Sequence, residues 1–345
     1  MEPNAEGALV PVRGSVSKQM ASMQELHSHP EMPNYDIIEY DPLLDSADMS
    51  PEDWVRIAED IETHYFQYDG FVVICGTDTM AYAASALSFM LENLAKPVIF
   101  TGSQIPFHEV YNDARKNLIV SMIFASRDDF LEVCVYFHDR LLRGNRASKI
   151  NSFRVDAFDS PNFPRLAEVG VNITARFDLA MRLPRGSFRV HKEMNTNIVV
   201  IKLVPGYDDD CISHIVNDIQ SLRALVLEIY GTGNAPARKS GLLNAIRTAT
   251  SRGIVVIAAT QCRTGGVILD KYAVGVALRD AGVIPAGDMT IEACATKLSY
   301  LLERTDGSPE TIRRLMQTDL RGELSPESAL RRSIFTACNA LSPRL

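Results

Sequence analysis

Short apolar runs alternate with helix-spaced segments along most of this chain. Phe71–Cys75 ("FVVIC") is unbroken, apolar and β-branched, the pattern of a strand covered on both faces. After "GTDT" the apolar positions change to helical spacing at Met80, Ala84, Leu87, Leu91 and Leu94. "PVIFTG" is followed by a helix pattern over Asp113–Ala125, and "EVCVYF" by a basic turn. The alternation lapses in "AMRLPRGSFRVHKEMN", which is polar and contains Pro184 and Gly186. It resumes with "NIVVIKLVPG", a helix near Ile212–Leu222, "RALVLEIYGTGN", a helix through Ile246, and "GIVVIAATQC".

Strands alternating with helices predict an α/β protein with mainly parallel sheets and helices on both faces. The lapse divides it into two α/β domains, 1–180 and 197–345, joined by a linker over 181–196. A doubly wound domain commonly opens with a buried strand. Here the opening residues are polar and punctuated by Pro and Gly, and the first strand-like run is "YDIIEY", Tyr35–Tyr40. The first domain therefore reads as one without its opening strand.

A length of 345 residues fits two domains. The 46% hydrophobic content is ordinary for a globular protein, and no apolar run approaches a membrane span. "MEPNAEGALVPVRG" carries no basic-then-apolar signal pattern. The net charge of −8 argues against nucleic acid or an anionic membrane as partner. The six cysteines, Cys75, Cys134, Cys211, Cys262, Cys294 and Cys338, are scattered without a C-x-x-C. Reduced cysteines in cytoplasmic surroundings are the expectation. His27 and His29 read as loop residues, and no metal-ligand spacing occurs.

The chemistry-bearing motifs of nucleotide enzymes and common hydrolases are missing. There is no P-loop, no G-x-S-x-G and no H-E-x-x-H, and "YGTGNAP" is a poor dinucleotide fingerprint. Arg140, Arg143, Arg146 and Lys149 recur at every third position, which reads as a solvated basic face, with an anion site as the lesser alternative. Ser50-Pro51-Glu52-Asp53 is a helix start, with an N-cap, Pro at N1 and acids in the first turn. Asp45-Ser46 precedes it and needs another explanation. Thr77-Asp78-Thr79 admits two readings. Such residues cap helices, and the carboxyl edge of a parallel sheet is also where α/β proteins hold ligands.

"GFVVICGTDTMAYAASALSFMLENLAKPVIFTGSQIP" resembles, nearly residue for residue, a signature segment of the bacterial-type L-asparaginases. The resemblance is strongest to their cytosolic type I branch and its animal relatives. It continues in order through "DSADMSPEDW", "RGNRASK", "YGTGNAP", "TQC", "AGVIPAGDMTIEA" and "LRGELSP". The D subunit of the archaeal glutamyl-tRNA amidotransferase is the second match within the superfamily.

The resemblance implies hydrolysis of L-asparagine to L-aspartate and ammonia through a threonine acyl-enzyme. It also implies a homodimer or homotetramer, no cofactor and no metal. Carried over by motif, Thr77, Asp78 and Lys149 form the proton-handling cluster, with Thr77 hydrogen-bonded to Lys149. Asp45, Ser46 and Ala47 bind substrate, Ser46 reaching the α-carboxylate, and Asp78 also meets the substrate ammonium. A lysine acting as base needs desolvation or cationic neighbours to bring its pKa down from about 10.4. Thr260, Gln261 and Cys262 match an element of a regulatory site found in some type I members. Glu228 stands where the regulated form has arginine, so the same regulation is not expected.

In the family the nucleophile comes from a T-G-G-T-I loop directly before a segment like "EGALVPV", which here begins at Glu6. Residues 1–345 hold no such loop. Two expectations follow: a chain whose natural start lies further upstream, or an inactive relative keeping a small-molecule pocket. A further alternative is action on another amide or ester, as associated with lysophospholipid-hydrolysing animal relatives.

Overall fold

The computed structural model describes residues 2–206, 208–236, 240–305 and 307–330; Cys338 and the closing "ALSPRL" lie outside them. The chain divides into two compact units, Met1–Lys192 and Glu193–Leu345.

The first unit is built on a six-stranded sheet. Its strands are β1 (Phe71–Ile74), β2 (Val98–Thr101), β3 (Val133–Phe137), β4 (Arg140–Arg143), β7 (Ala167–Val169) and β8 (Ile173–Ala175). A small ribbon pairs β5 (Ser148–Lys149) with β6 (Phe158–Asp159). The large sheet runs β8-β7-β4-β3-β2-β1. β1, β2 and β3 are parallel, as the alternation predicts, and β4, β7 and β8 extend the sheet antiparallel. The change of direction follows from the β3–β4 connection, a two-residue hairpin turn. His138 and Asp139 both take positive φ there, 42° and 66°, the backbone a primed turn requires.

Helix α5 (Ala114–Ala125) covers one face. Its Val120 and Phe124 pack with Ile99, Cys134, Tyr136 and Leu141 in one apolar cluster. Side chains one residue along a strand turn to the opposite face. There Phe100, Val135 and Phe137 are buried, and α4 (Met80–Met90) packs over β3. Helices α1 (Ser15–Ser22) and α2 (Gln24–Ser28) place Met20, Met23 and Leu26 against Leu118 and Met122 of α5. Helix α3 (Pro51–His64) starts as expected, with the Ser50 N–H donating to Asp53 Oδ2 at 2.8 Å. Within the predicted linker, Arg189–Val190 pairs antiparallel with Leu91–Glu92.

Three expectations are corrected. "YDIIEY" forms no strand: Tyr35–Tyr40 has no ladder partner among the described residues, and Ile37 and Ile38 are exposed. An extended, β-branched run becomes a strand only where another strand accepts its backbone groups. His27 belongs to the short helix α2 rather than a loop.

The basic stretch, third, is not a solvated face. Arg143 and Arg146 are 4% and 2% exposed. Arg143 Nε donates to Glu132 Oε2 at 2.5 Å and Nη2 donates to the Leu179 carbonyl at 2.7 Å. Both guanidinium groups lie over the Phe163 ring, at 4.4 and 5.2 Å. The spacing is explained by β4 and the turn after it, which point successive basic residues inward to waiting partners.

The second unit is a parallel sheet, β9 (Ile198–Lys202), β10 (Ala224–Ile229), β11 (Val255–Thr260) and β12 (Ile284–Pro285), in that spatial order. The helices α6 (Asp209–Asp218), α7 (Ser240–Ser251) and α8 (Ala273–Asp280) follow β9, β10 and β11. Ile212, Val216, Ile246, Ala249 and Leu278 from these helices share a core with Leu225, Leu227 and Val256 of the sheet.

Helix α9 (Ile291–Arg304) carries Lys297, fully buried against Glu323 at 2.5 Å. Lys297 also donates to the carbonyls of Met316 and Thr318, and Glu323 accepts from the N–H groups of Leu320 and Arg321. The ammonium holds the Glu323 carboxyl below the usual carboxylate range, while burial pulls Lys297 down.

Candidate active site

The turn between β1 and α4 sits at the carboxyl edge of the parallel strands, and its three polar side chains are engaged elsewhere than at the helix. Thr79, the N-cap of α4, makes no side-chain capping bond. Its hydroxyl donates to the Ser46 carbonyl at 2.6 Å. Lys149 Nζ donates to Thr77 Oγ1 at 2.8 Å and to Asp78 Oδ1 at 2.7 Å. Thr77 in turn donates to Gln104 Oε1 at 3.0 Å. The capping reading fails, because tertiary partners take the groups that a cap would use.

Each participant is held by a definite element. α4 is buried along its whole length from Met80 to Met90 except at Tyr82, so the turn before it rests on a rigid base. Lys149 comes from β5, pinned to β6, with its side chain 17% exposed. Gln104 follows β2, the strand beside β1. Its N–H donates to Asp113 Oδ2 at 3.1 Å and its Nε2 to the Arg154 carbonyl at 3.3 Å. Thr77 Oγ1 is therefore both acceptor, from an ammonium, and donor, to an amide oxygen. These two bonds fix the orientation of the Thr77 hydroxyl, and rotation of its hydrogen away from Gln104 would be needed for it to donate elsewhere. Behind the turn, burial pushes the Cys75 thiol up to about 12, leaving it protonated and chemically quiet.

The Asp45–Ala47 segment lies directly against this turn. Asp45 caps the short 3-10 turn Ser46–Asp48, its Oδ1 accepting from the Ala47 N–H at 3.1 Å. Ser46 is 4% exposed. A Cβ on Gly76 would stand 2.4 Å from Ser46 Oγ, so only glycine permits this approach.

The structure thus brings Thr77, Asp78 and Lys149 together and places Asp45, Ser46 and Ala47 beside them. Sequence reasoning did not single out Gln104 or Gly76, and it weighed Thr79 only together with Thr77 and Asp78. The signal for Gln104 was its position, "TGSQ", at the carboxyl end of the neighbouring parallel strand, the same logic that drew attention to Thr77.

Thr260, Gln261 and Cys262 lie at the end of β11 in the second unit. Thr260 Oγ1 donates to the Gly231 carbonyl at 2.7 Å and accepts from the Cys262 N–H at 3.0 Å. Gln261 Nε2 donates to the carbonyls of Leu203 and Glu228, so its amide ties β9 to β10. Cys262 is exposed, and the five described cysteines are unpaired. Among the described residues no group of three or more metal-ligating side chains converges. No helix among them is long and apolar enough to cross a membrane.

Residues 1–180 match the family model "Asparaginase, N-terminal", and residues 197–316 match "Glutaminase/Asparaginase C-terminal domain". The chain is 48% identical over 323 residues to L-asparaginase 1 of Escherichia coli, covering 94% of each. It is 44% identical over 295 residues to the human 60 kDa lysophospholipase, covering 85% of this chain and 51% of that protein. The crystal structure of L-asparaginase I from Vibrio cholerae superposes with a TM-score of 0.84 at 46% identity, covering 92% of this chain and 94% of that one. With both domain models matched in order and near-full-length relatives close to half identical, this chain belongs to the asparaginase family.

Proposed function

We propose that the protein is an L-asparaginase, hydrolysing the side-chain amide of L-asparagine to L-aspartate and ammonia. The observation that carries this reading is the 2.8 Å contact of Lys149 Nζ with Thr77 Oγ1, closed by Asp78. An amide is a poor electrophile and needs an activated nucleophile and a path for its proton. A threonine hydroxyl attacks the amide carbon, its proton passes through the Thr77–Lys149 pair to the leaving nitrogen, and ammonia departs. Water then cleaves the ester through the same pair and releases aspartate. Ser46 receives the α-carboxylate and Asp78 the α-ammonium. The reaction uses no cofactor, and the enzyme works in the cytoplasm as a homo-oligomer.

In this reading the attacking threonine stands on a T-G-G-T-I loop, a run that residues 1–345 do not contain. Two features support its arrival on a further strand beside β1. β1 has no neighbour on its outer side among the described residues, and Ile74 at its end is 44% exposed.

The test is ammonia release from L-asparagine and L-glutamine. Residues 1–345 alone release none above background. The same chain preceded by a strand ending in T-G-G-T-I-G turns over, and Thr77→Ala or Lys149→Met in that longer chain lowers kcat by roughly 10²–10⁴-fold. An extended chain that binds asparagine and releases no ammonia overturns the enzyme reading in favour of a binding protein. A lysophospholipid assay on the same protein separates the ester alternative.

A further inference from the structure

One end of the large sheet carries a polar groove that the Thr77–Lys149 site does not use. The β3–β4 and β7–β8 turns lie together there, because β4, β7 and β8 each run antiparallel to the strand before them in the sheet. The groove has a volume of about 550 Å³ and is lined by His138, Arg140, Arg165, Glu168, Asn172 and Thr174. Small-molecule sites measure roughly 300–1,000 Å³. Arg140 stands opposite Glu168, and Glu168 opposite Thr174, so the three form a row on one face of the sheet. Leu141 and Ala167, one residue along, turn to the other face and its apolar core.

The charges of this groove are unequally matched. Directly opposed strand residues have Cβ atoms about 4.5–5.5 Å apart, and opposite charges so placed normally pair. Here the two part. Glu168 accepts from Arg165 at 2.6 Å, and Arg140 turns to the Phe158 carbonyl, a long contact of 3.5 Å. Asp139 at the rim is taken by Lys116 at 2.5 Å. The next carboxylate, Asp156, is held low chiefly by Arg154, at 2.7 and 3.1 Å, and only secondarily by Arg140. Arg143, Arg146 and Lys149 of the same basic stretch are engaged by Glu132, Phe163 and the Thr77 cluster. The acids are compensated and the Arg140 guanidinium is not. Its fork matches the two oxygens of a carboxylate or phosphate.

We propose that the groove binds an organic oxyanion, a carboxylate or a phosphate monoester, on Arg140, and that its binding is felt at Lys149. The His138 imidazole, the Asn172 amide and the Thr174 hydroxyl offer partners to the ligand's other polar atoms. Phe158, whose carbonyl Arg140 holds, stands opposite Lys149 in the β5–β6 ribbon. Arg165 reaches the same ribbon at Asp159, 3.9 Å away. An oxyanion that draws the Arg140 guanidinium into the groove releases the Phe158 carbonyl and loosens the ribbon that positions Lys149. The consequence for turnover rests on the asparaginase reading. Binding does not, so residues 1–345 suffice for the test.

Inorganic phosphate and succinate are titrated separately by calorimetry, with sodium chloride holding the ionic strength constant. Saturable binding at one site is expected, and the tighter of the two anions tells phosphate from carboxylate. Arg140→Gln weakens it about tenfold or more, through loss of charge-assisted hydrogen bonds. Arg127→Gln, an exposed arginine outside the groove, leaves it unchanged. Thr174→Tyr fills the groove from an exposed strand position that suits an aromatic, and it weakens binding with no change of charge. With the anion bound, amide hydrogen exchange quickens over residues 148–159 in the wild type and not in Arg140→Gln. Absence of saturable binding, or equal affinity in the wild type and Thr174→Tyr, overturns the site. Binding that leaves exchange in the ribbon unchanged overturns its link to Lys149.

Discussion

Arg143→Met tests whether the buried ion pair of the first unit compensates its own burial. Arg143 and Glu132 side chains are only 5% and 7% exposed, with Nε 2.5 Å from Oε2. A second contact, Nη2 to Oε1, measures 3.2 Å. Methionine keeps the length and apolar stem but removes the charge. Glu132 then keeps the Met181 N–H, 3.0 Å from Oε1, as its donor. Opposite charges about 4 Å apart at an effective dielectric of 20 attract by about 4 kcal/mol, and removing one partner of a buried pair costs about 3–5 kcal/mol. Arg143→Met is therefore expected to lose about 3–4 kcal/mol of first-unit stability. Adding Glu132→Gln removes the stranded charge and recovers at least about 2 kcal/mol of that loss.

The chain's single tryptophan makes the assay local, because Trp54 lies in α3 of the first unit. Urea unfolding followed by Trp54 fluorescence reads that unit. If Arg143→Met costs under 1 kcal/mol, or if the double variant is as unstable as the single, the compensation argument is wrong.

In the extended, active chain, Gly76→Ala sets a methyl group 2.7 Å from Ser46 Cβ and forces the Ser46 segment back. With overpacking worth about 1–3 kcal/mol, KM for asparagine rises about fivefold or more; unchanged steady-state kinetics would remove Ser46 from the site. Gln104→Ala takes away the acceptor of the Thr77 hydroxyl, and one hydrogen bond of about 0.5–1.5 kcal/mol predicts a kcat lower by roughly three- to tenfold with KM held. A rise in KM alone would assign Gln104 to binding.

The acid stability of the second unit depends on Glu323, whose carboxyl Lys297 holds low. A folded-state value below the unfolded one, about 4.3, gives stability that is present above that pH and lost as pH falls through the lower folded value. Glu323→Gln should flatten this part of the stability curve, measured by hydrogen exchange in α9 below pH 4.3. A slope equal to the wild type's would show that the pair does not govern it.

The alternation of apolar runs with helical spacing was enough to read the strands and helices around the site, because burial on two faces and amphipathic helices leave periodic traces. What partner each residue meets left no such trace. Thr77-Asp78-Thr79 looks like a cap from its neighbours alone, and only the fold brings Lys149, 72 residues away, onto Thr77. The likeness to a family pointed there; the local pattern did not. Arg143 and Arg146 look solvated by charge and spacing, since Glu132 and Phe163 are invisible to a window of that size. Tyr35–Tyr40 has strand composition, yet strand formation is a property of two segments and the sequence describes one. Gln104 was legible in principle from topology, once β1 and β2 are known to be neighbours.

The interlock at Gly76 constrains how this scaffold can diverge. The turn bearing Thr77 and the loop bearing Ser46 share a hydroxyl-to-carbonyl bond and a contact with no room for one extra carbon. A substitution that shifts one drags the other, so selection for a bulkier substrate from this side would damage chemistry along with recognition. New specificities in such a lineage are expected to arise from segments other than these two, while this corner stays fixed.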